Sequence, residues 1–297
     1  MANQVGAFRR CRGFTSALLA LALLPAALPA KEKLKPEKLV SLHLDAIGPA
    51  EARANAKSRV FRGSGIRRVL VGGKGQVLAA VFYASDASSS NFRFDTQDNP
   101  SYWGEHLIFD GKTAHIFQGF QNGWSDLGEF FRVNKPLLRE GLLGGVTSAA
   151  WPLLALEARR PKLKYAGLKK VDDRELHRLD YKVRKGAGSV RIQMFFEPDT
   201  YRHVQTSYRY RVPGGIGDNP DASVGIQPTY VAVTETFWNF QPVDGLTLPA
   251  NWKIQYDRSN QGGGPGSTVS EWEVAFSNVV HNEPIGPSYY KLGAKIK

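Results

Sequence analysis

From Ser58 onward the chain alternates apolar and polar side chains with a period of two over most of its length. The alternation is clearest near the C-terminus. In Leu246–Tyr256, Trp252, Ile254 and Tyr256 alternate with Asn251, Lys253 and Gln255. In Val269–Val280, Trp272, Val274 and Phe276 alternate with Glu271, Glu273 and Ala275. Each strand then has one apolar and one polar face, as in an antiparallel sheet wetted on one side. Tyr230–Phe240 forms a third strand of this group, entering the turn Gln241-Pro242-Val243-Asp244-Gly245.

The same period predicts strands earlier in the chain. Ser58–Val71 and Gln76–Tyr83 flank the turn Gly72-Gly73-Lys74-Gly75, and Asn91–Asp95 follows. His106–Phe109 and Thr113–Phe117 flank Asp110-Gly111, the strongest short hairpin signal in the sequence. After the basic stretch at Arg159–Lys164, strands are predicted at Lys164–Val171, Arg174–Arg184, Gly188–Phe196 and Arg202–Val212. Ile192, Met194 and Phe196 share one face of the third of these.

Two segments break the pattern. Pro36–Ile47 has the helical spacing Leu39, Leu42, His43, Ala46, with Pro36 at an early helical position; Gly48-Pro49 ends it and Ala50–Ala56 reads as a second short helix. His43, on the apolar face, reads as a buried, hydrogen-bonded histidine. Leu127–Leu156 is rich in Phe, Leu and Trp but interrupted at Pro136, Gly144-Gly145 and Pro152, which predicts several short helices. So apolar a segment needs cover, and the open side of the sheet provides it, with Leu142, Leu143, Trp151 and Leu154 as a lid. Pro213–Pro228, rich in Gly, Pro and Asp, exceeds a hairpin turn and reads as an exposed insertion in a single domain spanning 31–297.

The first thirty residues read as a secretory signal peptide: arginines at 9, 10 and 12, an apolar run Phe14–Leu24, then small residues and prolines up to Ala30, with cleavage after Ala27 or Ala30. The apolar run is shorter than the ~20 residues of a spanning helix. The single cysteine, Cys11, leaves with that leader, which sets aside disulfides, thiol catalysis and cysteine metal sites for the exported chain. Net charge is +12, or +9 without the leader, whose only charges are three arginines. Export sets nucleic acid aside as a partner; an anionic membrane surface, touched transiently, or an acidic protein fits a basic surface.

The order of turn motifs carries a resemblance. Phe109-Asp110-Gly111-Lys112-Thr113 is followed by Gly167-Leu168-Lys169-Lys170-Val171-Asp172-Asp173-Arg174, then by Phe196-Glu197-Pro198-Asp199-Thr200-Tyr201. Val243-Asp244-Gly245-Leu246-Thr247-Leu248-Pro249 and Ser277–Ile285 complete the series. From Pro36 to Tyr290 the chain resembles the outer-membrane lipoprotein-sorting family, the LolA-like periplasmic carriers and their relatives. The resemblance implies a mostly β, α+β fold: an antiparallel half-open barrel of about eleven strands wrapped over short helices, with an apolar cavity between them. In sorting carriers that cavity holds lipoprotein acyl chains; other relatives bind different lipids or act as envelope-stress sensors.

Signatures of covalent chemistry do not emerge. The six histidines lack metal-ligand spacing; His106 and His115 flank a turn, where a surface pair is the ordinary outcome. Asp172-Asp173 and Glu271/Glu273 are acids that solvent accounts for. A catalytic triad is recognised by geometry, so a hydrolase stays as a third alternative. The leading expectation is a periplasmic binding or carrier protein without cofactor, holding a lipid or lipoprotein acyl chains against Ile192, Met194, Phe196, Trp252, Ile254, Tyr256, Trp272, Val274 and Phe276. The second is an envelope interaction or sensor module that engages a protein partner through its outer surface. A single acyl chain of about a dozen carbons offers ~10 kcal/mol on burial before ordering costs, so apolar walls suffice.

Overall fold

The computed structural model describes residues 34–97, 99–184, 186, 188–213, 228–260 and 266–291. The expected signal peptide, most of the 213–228 insertion and most of the glycine loop at 261–266 lie outside the described residues. Helices α1 (Pro36–Ile47) and α2 (Ala50–Asn55) open the described chain where the sequence places them. Pro36 begins α1, and Leu39, Val40, His43 and Ile47 form its buried stripe.

Five strands follow: β1 (Ser58–Val71), β2 (Gly75–Asp86), β3 (Ser90–Thr96), β4 (Gly104–Phe109) and β5 (Ala114–Ile116). The lid segment then runs as α3 (Asp126–Val133) and α4 (Pro136–Arg139), single 3-10 turns at Gly145–Thr147 and Pro152–Ala155, and α5 (Leu156–Arg159). Its breaks fall at Pro136, Gly144-Gly145 and Pro152, as expected. Seven strands complete the sheet: β6 (Lys162–Val171), β7 (Arg174–Lys182), β8 (Arg191–Phe196), β9 (His203–Val212), β10 (Thr229–Val243), β11 (Leu246–Asn260) and β12 (Thr268–His281).

All twelve strands belong to one antiparallel sheet in the order β5-β4-β3-β2-β1-β12-β11-β10-β9-β8-β7-β6. The sheet is therefore two meanders joined at a central β1–β12 seam. It is not closed: β5 and β6 are its edges, and the lid segment is the connection between them. This is the half-open, mostly β architecture expected, with twelve strands against about eleven. Gly63 lies at a register shift in the seam, between Arg62 opposite Asn278 and Gly63 opposite Phe276. A Cβ there would meet the Ala275 carbonyl oxygen at 2.0 Å, so only glycine lets the two backbones approach this closely.

Turn chemistry explains several registers. Asp172-Asp173 and Asp244-Gly245 all have positive φ and form two-residue turns of the mirror type, β6–β7 and β10–β11. Asp172-Asp173 is thus a hairpin tip. The β4–β5 loop is longer: the Asp110 carboxylate accepts from the amides of Lys112 and Thr113, closing a four-residue turn. Pro242, read as part of a turn, lies instead inside β10, opposite Thr247. The pairing with β9 ends at Thr236 opposite Gln205, so Pro242 sits where β10 needs no donor on that side.

Candidate functional site

Cross-strand register brings the nine predicted ligand-facing residues onto the concave face of the sheet. Trp252 lies opposite Val274 and Phe237, and Ile254 opposite Trp272. Tyr256 lies opposite Ser270, and Ile192 and Met194 lie opposite Tyr208 and Thr206. All nine are buried in one core, together with Leu142, Leu143 and Trp151; Leu154 packs half-buried at its edge. Trp252 is ringed by Phe92 at 4.9 Å, Tyr83 at 5.7 Å, Phe237 at 6.2 Å and Phe276 at 6.4 Å between ring centroids. The space beneath the lid is thus occupied by the chain's own aromatic side chains, at distances typical of packed cores.

The lid is held down through its backbone. Tyr83 donates to the Leu143 carbonyl at 2.7 Å, and Arg59 to the Val146 carbonyl at 2.6 Å. The Gly144 amide donates to Glu235 at 2.7 Å, and the Ala149 amide to the Ser85 hydroxyl at 2.8 Å. Gly144 has φ +82, and a Cβ on it would press the Tyr83 ring at 2.9 Å, so glycine is required at the tightest point of contact. Tyr208 lies 2.7 Å from the other Glu235 oxygen and 3.0 Å from the Leu142 carbonyl, with one proton for two acceptors. Burial resolves this by pushing the Glu235 carboxyl up to about 7. When protonated, Glu235 donates to Tyr208 and frees the tyrosine proton for Leu142.

A second buried chain of bonds runs from Trp272 to Tyr102 and from Tyr102 to Glu105, each 2.7 Å, with the Arg67 guanidinium stacked 4.5 Å from the Tyr102 ring. Burial pushes Glu105 to about 7 as well. Both buried acids are thus engaged by tyrosines. Neither acid belongs to a turn or motif that marks it in the sequence. Glu235 carried a signal, since it is the one acid at an inward position of the alternation Val231, Val233, Glu235, Phe237; its partners come from β9 and the lid.

At the other end of the lid Trp151 donates to His43 at 3.3 Å, while His43 faces the Tyr201 carbonyl at 3.1 Å through its other nitrogen. Only the Nδ1–H tautomer satisfies both, and burial lowers His43 to about 4, so it is neutral. His106 and His115 do not meet: the first pairs with Asp95 and the second with Asp110. Glu271 and Glu273 both bind Arg68, at 3.0 and 2.7 Å. Among the described residues no group of three or more His, Cys, Asp or Glu converges to hold a metal.

Open volume lies beside the lid. A groove of about 550 Å³ runs between α2 and the segment Ala149–Ala155. Its walls are seven alanines, 50, 54, 56, 87, 149, 150 and 155, with Leu44, Trp151 and Leu154. Side chains that stop at Cβ leave an apolar trough where larger residues would fill it. Arg53 and Lys57 stand on its rim. Arg53 is committed to capping α1, donating to the Leu44 and Gly48 carbonyls at 2.5 Å. Of the predicted lid residues, half-buried Leu154 therefore borders this open space, whereas Leu142, Leu143 and Trp151 are buried in the core.

No family model matches the chain, and no curated protein matches it. Among solved structures it is similar to a DUF1329 family protein from Desulfovibrio piger (12% identity, 88% of this chain and 99% of that one, TM-score 0.45). It is also similar to a LolA superfamily protein from Nitrosomonas europaea (10% identity, 87% and 98%, TM-score 0.44). An outer membrane lipoprotein-sorting protein domain from Vibrio parahaemolyticus is similar to the same degree (10% identity, 85% and 95%, TM-score 0.43).

Proposed function

We propose that the protein is an exported periplasmic carrier or binding protein for a lipid or for the acyl chains of a lipidated protein, and that it works without covalent chemistry. The observation that carries this reading is the alanine-walled groove beside the lid. Its volume and apolar walls suit a hydrocarbon chain. Lys57 on the rim makes no ion pair with a described residue and is placed to meet an anionic headgroup. The nine inward residues of the sheet form the deeper apolar interior, reached by a chain only when the lid tethers release. Glu235 and Glu105 are each bonded to a tyrosine hydroxyl at 2.7 Å, which supports a structural role for these buried acids.

Native mass spectrometry after gentle extraction is expected to show bound lipid, and the purified protein should take up a fluorescent fatty acid. Absence of both sinks the proposal. Ala54 is exposed and lines the groove, so Ala54→Phe should leave folding intact. It is expected to weaken uptake about tenfold, the effect of denying burial to roughly two methylenes.

A further inference from the structure

The outer face of the sheet handles its cations in two ways. Near the β1–β12 seam they are neutralised internally: Arg68 by Glu271 and Glu273, and Arg62 by Glu283 at 2.6 Å. On β8 and β9 they are not. Arg191 lies opposite Arg209 across the strand pair, and Arg211 follows two residues on, all on the exposed face. None of the three makes an ion pair with a described carboxylate. Among the described residues Arg209 reaches the Ser207 hydroxyl, at 3.0 Å, and Arg211 lies 5.9 Å from the Tyr230 ring centroid. Like charges placed directly opposite on a sheet repel, so the arrangement is unfavourable unless an anion meets it.

These arginines line a concavity of about 660 Å³ over β8–β11, with Asp257 as its acidic member. It shares Ser189 and Arg191 with a second concavity of about 580 Å³, to which Lys162, Lys164, Lys182 and Arg184 contribute. The acid of the second, Asp180, is held by Arg178 at 3.0 Å. Seven cations therefore face two carboxylates across one basic arc.

The strand ends on this side of the sheet also expose large apolar groups. Val212 closes β9 and Tyr230 opens β10; Leu70 and Val71 end β1. Trp103 precedes β4, and Trp124 donates to the Ile116 carbonyl at the end of β5. Aromatic and aliphatic groups beside clustered arginines and lysines are the composition of a surface that lies at a bilayer interface: the rings enter the headgroup layer and the cations meet phosphoryl groups.

We propose that this strand-end face, centred on Arg191, Arg209 and Arg211, docks the protein on an anionic phospholipid surface. The proposal is independent of the acyl-carrier reading, since it involves the opposite end of the strands from the alanine-walled groove, which lies at the β2–β3 turn. The test is co-sedimentation with phosphatidylglycerol vesicles and, in parallel, phosphatidylcholine vesicles. The protein and a triple variant, Arg191→Gln/Arg209→Gln/Arg211→Gln, are prepared in the same form so that any leader is common to both. Binding to phosphatidylglycerol alone is expected, weakened about 100-fold in the triple variant. It should also be abolished near 1 M salt, where charges are screened within about 3 Å. Tyr230→Ser should weaken binding less than the triple variant does. All three arginines are exposed, so the variant should melt no lower than the parent and take up fatty acid as before. Equal binding to both lipids, or unchanged binding by the triple variant, overturns the proposal. So does absence of sedimentation with either vesicle; binding of soluble polyglutamate in that case would assign the face to an acidic protein.

Discussion

Glu235 shows how a single residue can couple the sheet to its cover. Its carboxyl sits at about 7 because burial disfavours the charged form, whereas in the unfolded chain it titrates near the ordinary 4.5. Between those values the folded state holds a proton that the unfolded state has released. The contribution of Glu235 to stability therefore falls as pH rises from about 4.5 through about 7 and is constant above. Glu235→Gln, which keeps an acceptor for the Gly144 amide, removes that slope. Thermal melts at pH 5 and pH 8 should show the parent losing on the order of 1–3 kcal/mol relative to the variant across that interval. Parallel curves would remove Glu235 from this role. His43 has the opposite sign: lowered to about 4, it favours the folded state increasingly as pH rises from 4 to its ordinary 6.5. The burial of His43 could be read from its place on the apolar face of α1. Its partner Trp151, 108 residues away, could not.

Among the elements, the lid is the one whose stability governs access. Its short helices contribute little by themselves, since single turns are not stable alone. What holds it is the set of buried bonds from Tyr83, Arg59, Ser85, Tyr208 and Glu235 to its backbone. Tyr208→Phe leaves the Leu142 carbonyl and Glu235 short of a partner at a cost of about 1–3 kcal/mol. Hydrogen exchange at the amides of Gly144–Ser148 should speed up accordingly, and fatty-acid uptake should become faster if the lid gates the interior. At the start of the lid, Ser125 caps α3 by accepting from the Gly128 amide at 2.8 Å. Ser125→Ala is expected to cost about 1 kcal/mol, measurable by urea titration. The lid's existence and break points were legible because proline and glycine interrupt helices locally. Its tethers were not, because they join side chains of the sheet to backbone groups between 60 and 91 residues apart.

Across the whole molecule the decisive contact is the β1–β12 seam, which joins the first strand to the last. Because β12 lies between β1 and β11, deletion of 268–281 would split the sheet into two meanders that share no strand pair. Circular dichroism of such a truncation should show loss of the cooperative transition rather than a lowered midpoint. Trp252→Ala, at the centre of the aromatic cluster, is expected to cost about 3–5 kcal/mol, enough to unfold a marginal domain.

The sequence alone determined the elements. Alternation of side chains, prolines, and Asp-Gly or Asp-Asp turns act over a few residues, so strands, hairpins and the broken lid could be read from neighbouring positions. It also determined which face of each strand turns inward, and all nine inward residues it selected are buried. Only the tertiary structure decided what that inward face touches. Aromatic side chains at correct spacing can line a cavity or fill it, and the difference depends on Tyr83, Phe92, Phe237 and the lid arriving from distant strands. The same holds for the open space: the seven alanines of the groove come from three stretches of chain, and small residues make a trough only where folding sets them together. Local pattern fixes direction, while volume belongs to the assembled whole.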